Sequence, residues 1–109
     1  MYDLKRAAAE LCLEPADLQE IYEDFFFEAD GLLAAGKTQL AKGDFENLRR
    51  TLHALKGMAV NLRMERLGLL ARQAGEALRQ DHTLLEGLLG EIPREIDKLR
   101  AQINNFYSG

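Results

Sequence analysis

Apolar residues recur every three or four positions along almost the whole chain, and this spacing is typical of amphipathic helices. It predicts a short helix over residues 2–12, longer helices over residues 15–42, 45–62 and 64–80, and a last helix from Thr83 to about residue 107. No segment shows the alternation of a β-strand. Long amphipathic helices joined by tight turns favour an all-α fold: an antiparallel four-helix bundle with the short N-terminal helix covering one end or side.

Glycine, proline and short polar side chains mark the predicted helix ends. Gly43 is suited to end one helix in the left-handed conformation, and Asp44 is suited to cap the next. Thr83 and Glu86 have the spacing of a capping box, which predicts the start of the last helix. Pro93 falls inside the apolar pattern of that helix, so we expect a kink or a restart there.

The apolar stripes identify the expected core, and one aromatic residue lies off them. The third helix is predicted to bury Phe45, Leu48, Leu52, Leu55, Ala59 and Leu62. Phe27, by contrast, falls opposite the apolar stripe of the second helix, among acidic residues. Two interpretations stay open: the N-terminal helix covers Phe27, or this ring contacts a partner or a second copy of the chain.

Composition limits the classes of function. The chain has 109 residues, enough for one core, and we expect residues 1–109 to form one domain. The net charge of −4 argues against general nucleic-acid binding. No apolar run approaches the ~20 residues that span a bilayer, and no signal peptide is recognisable. The single cysteine, Cys12, fits a reducing compartment, so we expect a cytoplasmic protein. The initial methionine favours a free chain or an N-terminal domain.

The stretch from residue 52 to residue 62 carries the candidate chemistry. His53 and Lys56 are three positions apart on one predicted helix, so their side chains share a face. Gly57 follows on the same face and leaves bare backbone beside the imidazole. The helical angles direct His53 to solvent together with Arg49 and Val60. A histidine is a competent nucleophile at neutral pH, and attack on a phosphoryl group would give a phosphoramidate.

This stretch resembles the conserved pattern of histidine phosphotransfer (HPt) domains. The matching positions are His53, Leu55, Lys56, Gly57, Ala59 and Leu62, whereas Met58 replaces a small residue and Arg63 replaces a glycine. The order of helices over about residues 14–107 resembles the family as well. The resemblance implies that His53 accepts a phosphoryl group from a receiver-domain aspartate and passes it to another receiver. It also implies that the partners are receiver domains of response regulators, of a hybrid sensor kinase, or of both.

The roles expected at this site follow from charge and size. Lys56 is suited to pair with phosphoryl oxygens, and Arg49 adds attraction at longer range. Val60 is expected to contact the partner. Gly75 on the fourth helix has two interpretations, close helix packing or low backbone beside His53. Near it, Gln73 and Arg72 are candidate hydrogen-bond donors to the imidazole or the phosphoryl group. These assignments need no cofactor.

Other functions fit the sequence less well. A binding-only adaptor of the same fold, docking receiver or kinase domains without carrying phosphate, is the main alternative. A cofactor-holding bundle is disfavoured because Cys12, His53 and His82 lack the spacing of metal ligands. No glycine-rich phosphate loop is present, so we expect a phosphoryl carrier rather than an enzyme that uses ATP. The sequence predicts neither the oligomeric state nor the direction of phosphoryl flow.

Overall fold

In the computed structural model, all 109 residues are described, and they form five α-helices and no strand. The helices are α1 (Leu4–Glu10), α2 (Pro15–Lys42), α3 (Phe45–Asn61), α4 (Glu65–Gln80) and α5 (His82–Ser108). Helices α2 to α5 form the bundle, which is elongated to 42 × 20 × 18 Å, and α1 packs against one end of it. The predicted all-α fold, a four-helix bundle with an additional N-terminal helix, is confirmed. No helix combines the length with the apolar composition that a membrane-spanning segment requires.

The core consists of apolar side chains from all five helices, and no polar or charged side chain is buried. The apolar stripe of α4 is buried as a whole: Leu67, Leu70, Ala71, Ala74 and Leu78. The prediction for Phe45 is wrong, because this ring is 40% exposed. It lies at the first residue of α3, beyond the closed part of the core, and packs edge-to-face on His82 with ring centroids 5.0 Å apart.

The turn between α2 and α3 forms at Gly43 and Asp44, as the sequence predicts. Gly43 has a φ of 68°, the left-handed conformation that ends α2 without steric cost. Asp44 then accepts a hydrogen bond from the backbone N–H of Asn47 at 3.3 Å and so caps α3. This turn sets the position of α3 along α2.

The start of α5 differs from the prediction, and the structure excludes one of the two effects expected of Pro93. Asp81, not Thr83, caps the helix: its Oδ1 accepts from the backbone N–H of Thr83 at 3.0 Å. The predicted capping box of Thr83 and Glu86 is therefore not the helix start, because a better cap lies two residues earlier. Of the kink and the restart expected at Pro93, the restart does not occur, because the helix continues through this residue. Proline removes only one backbone hydrogen bond there, and the buried Ile92 and Ile96 hold both sides of the helix against the core.

Helix α1 is shorter than the predicted 2–12, because Asp3 caps it by accepting from Arg6 N at 3.0 Å and Cys12 adopts a positive φ of 57° after it. It buries Leu4, Ala7 and Ala8 against the bundle. It does not reach Phe27, which is 81% exposed. The interpretation that the N-terminal helix covers Phe27 is therefore wrong.

Candidate functional site

His53 projects from the outer face of α3, about halfway along the helix. Its buried neighbours Leu52 and Leu55 fasten this part of α3 to the core, while the imidazole itself is exposed. Neither ring nitrogen forms a hydrogen bond within the chain. The imidazole is thus held on a rigid helix with its nitrogens free for a reaction partner.

The imidazole lies at the edge of a shallow depression between α3 and α4, with a volume of about 170 Å³. Helix α3 contributes Arg49, Leu52, His53 and Lys56, and α4 contributes Ala71, Arg72, Gly75, Glu76 and Arg79. Leu52 and Ala71 form the apolar floor, and the charged side chains stand around it. We call this depression the His53 groove.

The His53 groove is basic although the chain as a whole is acidic. Four cationic side chains line it, against the single carboxylate of Glu76. Five arginines of the chain pair with a carboxylate within 4 Å. Of the four that do not, Arg49, Arg72 and Arg79 line the groove and only Arg94 lies elsewhere. Lys56 forms no ion pair either. The groove therefore offers unpaired positive charge to an anion.

The glycines near His53 play different structural parts. A Cβ atom added at Gly57 or at Gly75 would meet nothing within 4 Å, so neither glycine is needed for packing inside the bundle. A Cβ atom at Gly68 would lie 3.5 Å from Val60 Cγ2, in ordinary contact with α3. Of these three glycines, only Gly68 packs closely against a neighbouring helix, and Gly57 and Gly75 leave open surface beside the imidazole.

Comparison with known families settles the affiliation of the chain. The sequence profile of the Hpt domain matches residues 20–102, from within α2 to within α5. The chain belongs to the Hpt domain family. Comparisons with curated proteins and with solved structures give no significant match. Members of the family act in phosphotransfer within two-component phosphorelays, as phosphoryl carriers without an ATP-binding site of their own.

The structure of this Hpt domain brings most of the predicted site residues together. His53, Lys56, Arg49 and Gly75 all line the groove, with Gly57 on the adjacent open surface of α3. Val60 is 53% exposed and lies farther along α3, toward Gly68. Gln73 is half-buried and does not line the groove.

Two groove residues, Glu76 and Arg79, escaped the sequence reasoning, whereas Arg72 was a candidate hydrogen-bond donor together with Gln73 and does line the groove. The signal for them is present in the sequence. Arg72, Glu76 and Arg79 follow one another at spacings of four and three, so they share one face of α4. The sequence pattern of α4 does not show whether that face points toward His53. Its direction depends on how α4 packs beside α3.

His82, unlike His53, contacts other residues at the end of the bundle. Its Nε2 lies 2.7 Å from the carbonyl oxygen of Leu78, in the last turn of α4, and its ring packs on Phe45. It lines no part of the His53 groove. His82 therefore joins the ends of α3, α4 and α5.

A larger cleft of about 610 Å³ lies at the α1 end of the bundle. Its basic residues Arg6, Arg63, Arg66 and Lys98 are matched by Asp3, Glu10, Glu65 and Glu95. All three arginines form ion pairs with Glu10 or Glu95, and Lys98 alone has no carboxylate within 4 Å. This cleft therefore offers less unpaired positive charge than the His53 groove. No three His, Cys, Asp or Glu side chains in the structure are grouped to hold a metal ion.

Proposed function

We propose that this Hpt domain accepts a phosphoryl group on His53 from a receiver-domain aspartate and transfers it to another receiver. The observation that carries the proposal is the exposed, hydrogen-bond-free imidazole at the edge of a groove whose cations have no partner in the chain. Of all groups in the molecule, this histidine alone combines a nucleophile, surrounding positive charge and open access.

The proposed step is an in-line displacement at phosphorus. An unprotonated ring nitrogen of His53 attacks the phosphorus of the receiver's aspartyl phosphate and forms a P–N bond. The P–O bond to the aspartate breaks, and its electron pair leaves with the carboxylate. The reverse sequence, with the carboxylate of a second receiver as the nucleophile, returns the imidazole and regenerates an aspartyl phosphate. Neither direction consumes ATP.

The proposed roles of the groove residues follow from their positions. Lys56, one turn from His53 on the same face, donates to the phosphoryl oxygens. Gly57 and Gly75 keep the surface low, so that the receiver's aspartate reaches the ring. Arg49 on the groove wall and Val60 beyond it contact the receiver. Gln73 has no role in the proposal, because its side chain lies outside the groove.

The proposed partners are receiver domains, of separate response regulators or of a hybrid sensor kinase. A receiver presents a phosphorylated, acidic pocket, and the unpaired cations around His53 match that charge. Charge complementarity of this kind accelerates encounter and orients the two proteins before docking.

His53→Gln tests the proposal directly. The variant is expected to lose all phosphoryl uptake from a phosphorylated receiver while its helical circular dichroism stays unchanged, since an exposed side chain adds little to folding. The measurement is acid-labile, base-stable label on the domain. The matched control is His82→Gln, which removes the other histidine and is expected to keep transfer near normal.

Two results would contradict this assignment. Label on the His53→Gln variant would place the acceptor elsewhere. Receiver binding by the unchanged chain with no phosphoryl uptake at all would identify the protein as a binding-only adaptor.

A further inference from the structure

The outer face of α2 carries a large apolar side chain that the bundle does not cover. Phe27 is 81% exposed, more than any other large apolar residue except Met1. Toward the C-terminus the same helix face continues with small, exposed residues: Gly31, Ala34, Thr38 and Ala41. The Thr38 hydroxyl donates to the Ala34 carbonyl of its own helix at 3.3 Å, so it needs no other partner. An exposed aromatic ring next to a row of small side chains is a favourable contact surface for another helix.

Gly31 has no function inside the bundle. A Cβ atom added there would meet nothing within 4 Å, so the glycine is not required by internal packing. A glycine inside a helix nevertheless lowers helix stability relative to alanine. What it provides at this position is bare backbone on the outer surface of α2, four residues from Phe27.

The charges of this face that have no partner within the chain are segregated along the helix, whereas Asp30 on the same face is paired with Arg100 of α5 at 2.7 Å. Glu20 and Glu23 lie on the N-terminal side of Phe27, whereas Lys37 and Lys42 lie on the C-terminal side. All four side chains are exposed and form no ion pair within the chain. If a second α2 packs antiparallel to the first, the acidic part of each helix faces the basic part of the other.

The register of such a pair is self-consistent. In an antiparallel pair, two facing residues lie at equal distances from the two-fold axis. Glu23 facing Lys37 of the other copy places this axis at residue 30, and Glu20 facing Lys42 places it at residue 31. With the same register, Phe27 of one helix lies against Ala34 of the other. At 100° per residue, Glu23 and Lys37 fall on one flank of Phe27, and Glu20 and Lys42 fall on the opposite flank. A single two-fold axis beside Gly31 is therefore compatible with the contact between Phe27 and Ala34 and with both pairs of opposite charges.

We infer that the outer face of α2 is a self-association surface, on which the α2 helices of two copies of this chain pack antiparallel about a two-fold axis beside Gly31. The interface is isologous and closes at two copies. It shares no residue with the His53 groove, which is built from α3 and α4. Each dimer thus presents two open histidines, and the inference does not depend on what His53 accepts.

Sedimentation equilibrium on the full chain tests the inference. One helix pair is a small interface, so we expect a monomer–dimer equilibrium with a Kd between about 10 μM and 1 mM. The mass should rise from 12.3 kDa toward twice that value over this range. Phe27→Ser is expected to raise the Kd at least about tenfold. Its matched control is Leu84→Ser on α5, which removes a side chain that is 60% exposed and should leave the Kd within about twofold.

Charge reversal tests the register. Glu23→Lys places two lysines opposite each other and is expected to raise the Kd by about three- to tenfold. Adding Lys37→Glu to the same chain re-creates opposite charges and should return the Kd to within about threefold of the original. Both variants are exposed substitutions on one helix, so circular dichroism verifies that the fold is unchanged.

Three outcomes would overturn the inference. The first is a chain that is still fully monomeric at about 1 mM, because about half of the chains would be dimeric there even at the upper end of the expected Kd range. The second is a dimer whose Kd responds neither to Phe27→Ser nor to the charge reversal, which would place the interface elsewhere. The third is a monomeric chain in which Phe27→Ser weakens receiver binding, which would assign this face to a different protein.

Discussion

At the scale of single residues, Lys56 and Gly57 are next to each other in sequence but affect the proposed reaction in different ways. Lys56 brings a charge that has no partner in the folded chain, and its stem is half-buried against the groove. Gly57 brings no side chain at all and leaves a gap in the surface. The lysine is therefore expected to act on the phosphoryl group, and the glycine on the approach of the partner.

Lys56→Ala is expected to lower the rate of phosphoryl transfer by about 10- to 100-fold, the loss of one charge-assisted hydrogen bond to the phosphoryl group. Receiver affinity should change by less than about threefold, since an exposed charge at an interface rim adds little to affinity. Stopped-flow transfer kinetics and receiver titration separate the two effects. Arg94→Ala, which removes an unpaired cation away from the groove, is the control. An unchanged rate with weakened binding would make Lys56 a docking residue.

Gly57→Leu is expected to have opposite effects on stability and on transfer. Because a Cβ atom at Gly57 meets nothing within 4 Å, the leucine causes no internal clash, and the better helix former should add up to roughly 1 kcal/mol to the free energy of unfolding. The same side chain stands beside His53 and should block receiver docking and transfer. Thermal melting and transfer kinetics on one preparation give both quantities.

Gly87→Leu is the matched control for Gly57→Leu. Gly87 is an exposed glycine of α5 whose Cβ position is equally open, and it lies outside the groove. We expect a similar gain in stability with normal transfer. A clearly lower melting temperature for Gly57→Leu would contradict the access argument, even if transfer also fell.

At the scale of the helices, the predictable boundaries are those encoded by adjacent residues. Gly43 and Asp44 each act on backbone groups within three residues, and the turn between α2 and α3 was predicted correctly. The start of α5 was not, because Asp81 and Thr83 are both good caps and sequence spacing alone favours the wrong one. The effect of Pro93 depends on Ile92 and Ile96 being buried, which is a property of the assembled bundle.

The end of α3 shows why this family has a glycine where this chain has Arg63. Arg63 follows the helix cap Leu62 and has a φ of 61°, a left-handed conformation that costs a residue with a Cβ atom about 1–2 kcal/mol. Its side chain recovers part of this cost through an ion pair with Glu10 at 3.3 Å. That pair is exposed and contributes little.

Comparing Arg63→Gly with Arg63→Ala isolates the backbone contribution at this helix end. Both variants lose the ion pair with Glu10, but only glycine relieves the strain. The glycine variant should be more stable than the alanine variant by about 1 kcal/mol. Urea unfolding followed by circular dichroism measures the difference. Equal stabilities of the two variants would mean that the positive φ of Arg63 carries no strain.

At the scale of the whole molecule, the functional surface is a property of two helices together. The α3 side of the groove was predicted, because His53, Lys56 and Arg49 lie on one helix and the angle between them follows from sequence spacing. Arg79 and Glu76 were missed because the rotation of α4 against α3 is decided by the packing of Leu67, Ala71 and Ala74 in the core. Sequence periodicity describes each helix separately and does not relate the outer faces of two helices.

Tyr2 connects more of the molecule than any other side chain of the N-terminal segment. Its hydroxyl lies 2.6 Å from the Tyr22 hydroxyl on α2 and donates to the carbonyl oxygen of Leu62 at 2.8 Å. Its backbone carbonyl accepts a hydrogen bond from Gln102 on α5. One residue outside any helix thereby joins α2, the end of α3 and α5. The amphipathic pattern of residues 2–12 contained no sign of this role.

The Tyr2–Tyr22 pair makes a prediction about alkaline stability. Burial raises the pKa of Tyr22, and its hydrogen bond with Tyr2 raises that pKa further. Burial also raises the pKa of Tyr2, although the hydrogen bond to Tyr22 partly opposes the shift. In the unfolded chain a tyrosine titrates near pH 10, so above that pH the folded state binds more protons than the unfolded state. The contribution of the pair is therefore complete below about pH 10 and falls as the pH rises further.

Tyr22→Phe removes the more strongly shifted phenol and leaves the Tyr2 hydroxyl bonded to Leu62. At pH 7 the variant should be less stable by about 1 kcal/mol, the net contribution of one hydrogen bond. Between pH 10 and pH 11 the free energy of unfolding should fall faster in the original chain than in the variant, because only the original chain contains the Tyr22 phenol. This one group adds up to about 1.4 kcal/mol per pH unit to the slope. The free energies of unfolding in urea should therefore converge over this range, while they stay parallel between pH 7 and pH 9. Parallel curves up to pH 11 would mean that Tyr22 titrates alike in the folded and unfolded states, and that the Tyr2–Tyr22 contact does not hold the N-terminal segment to the bundle.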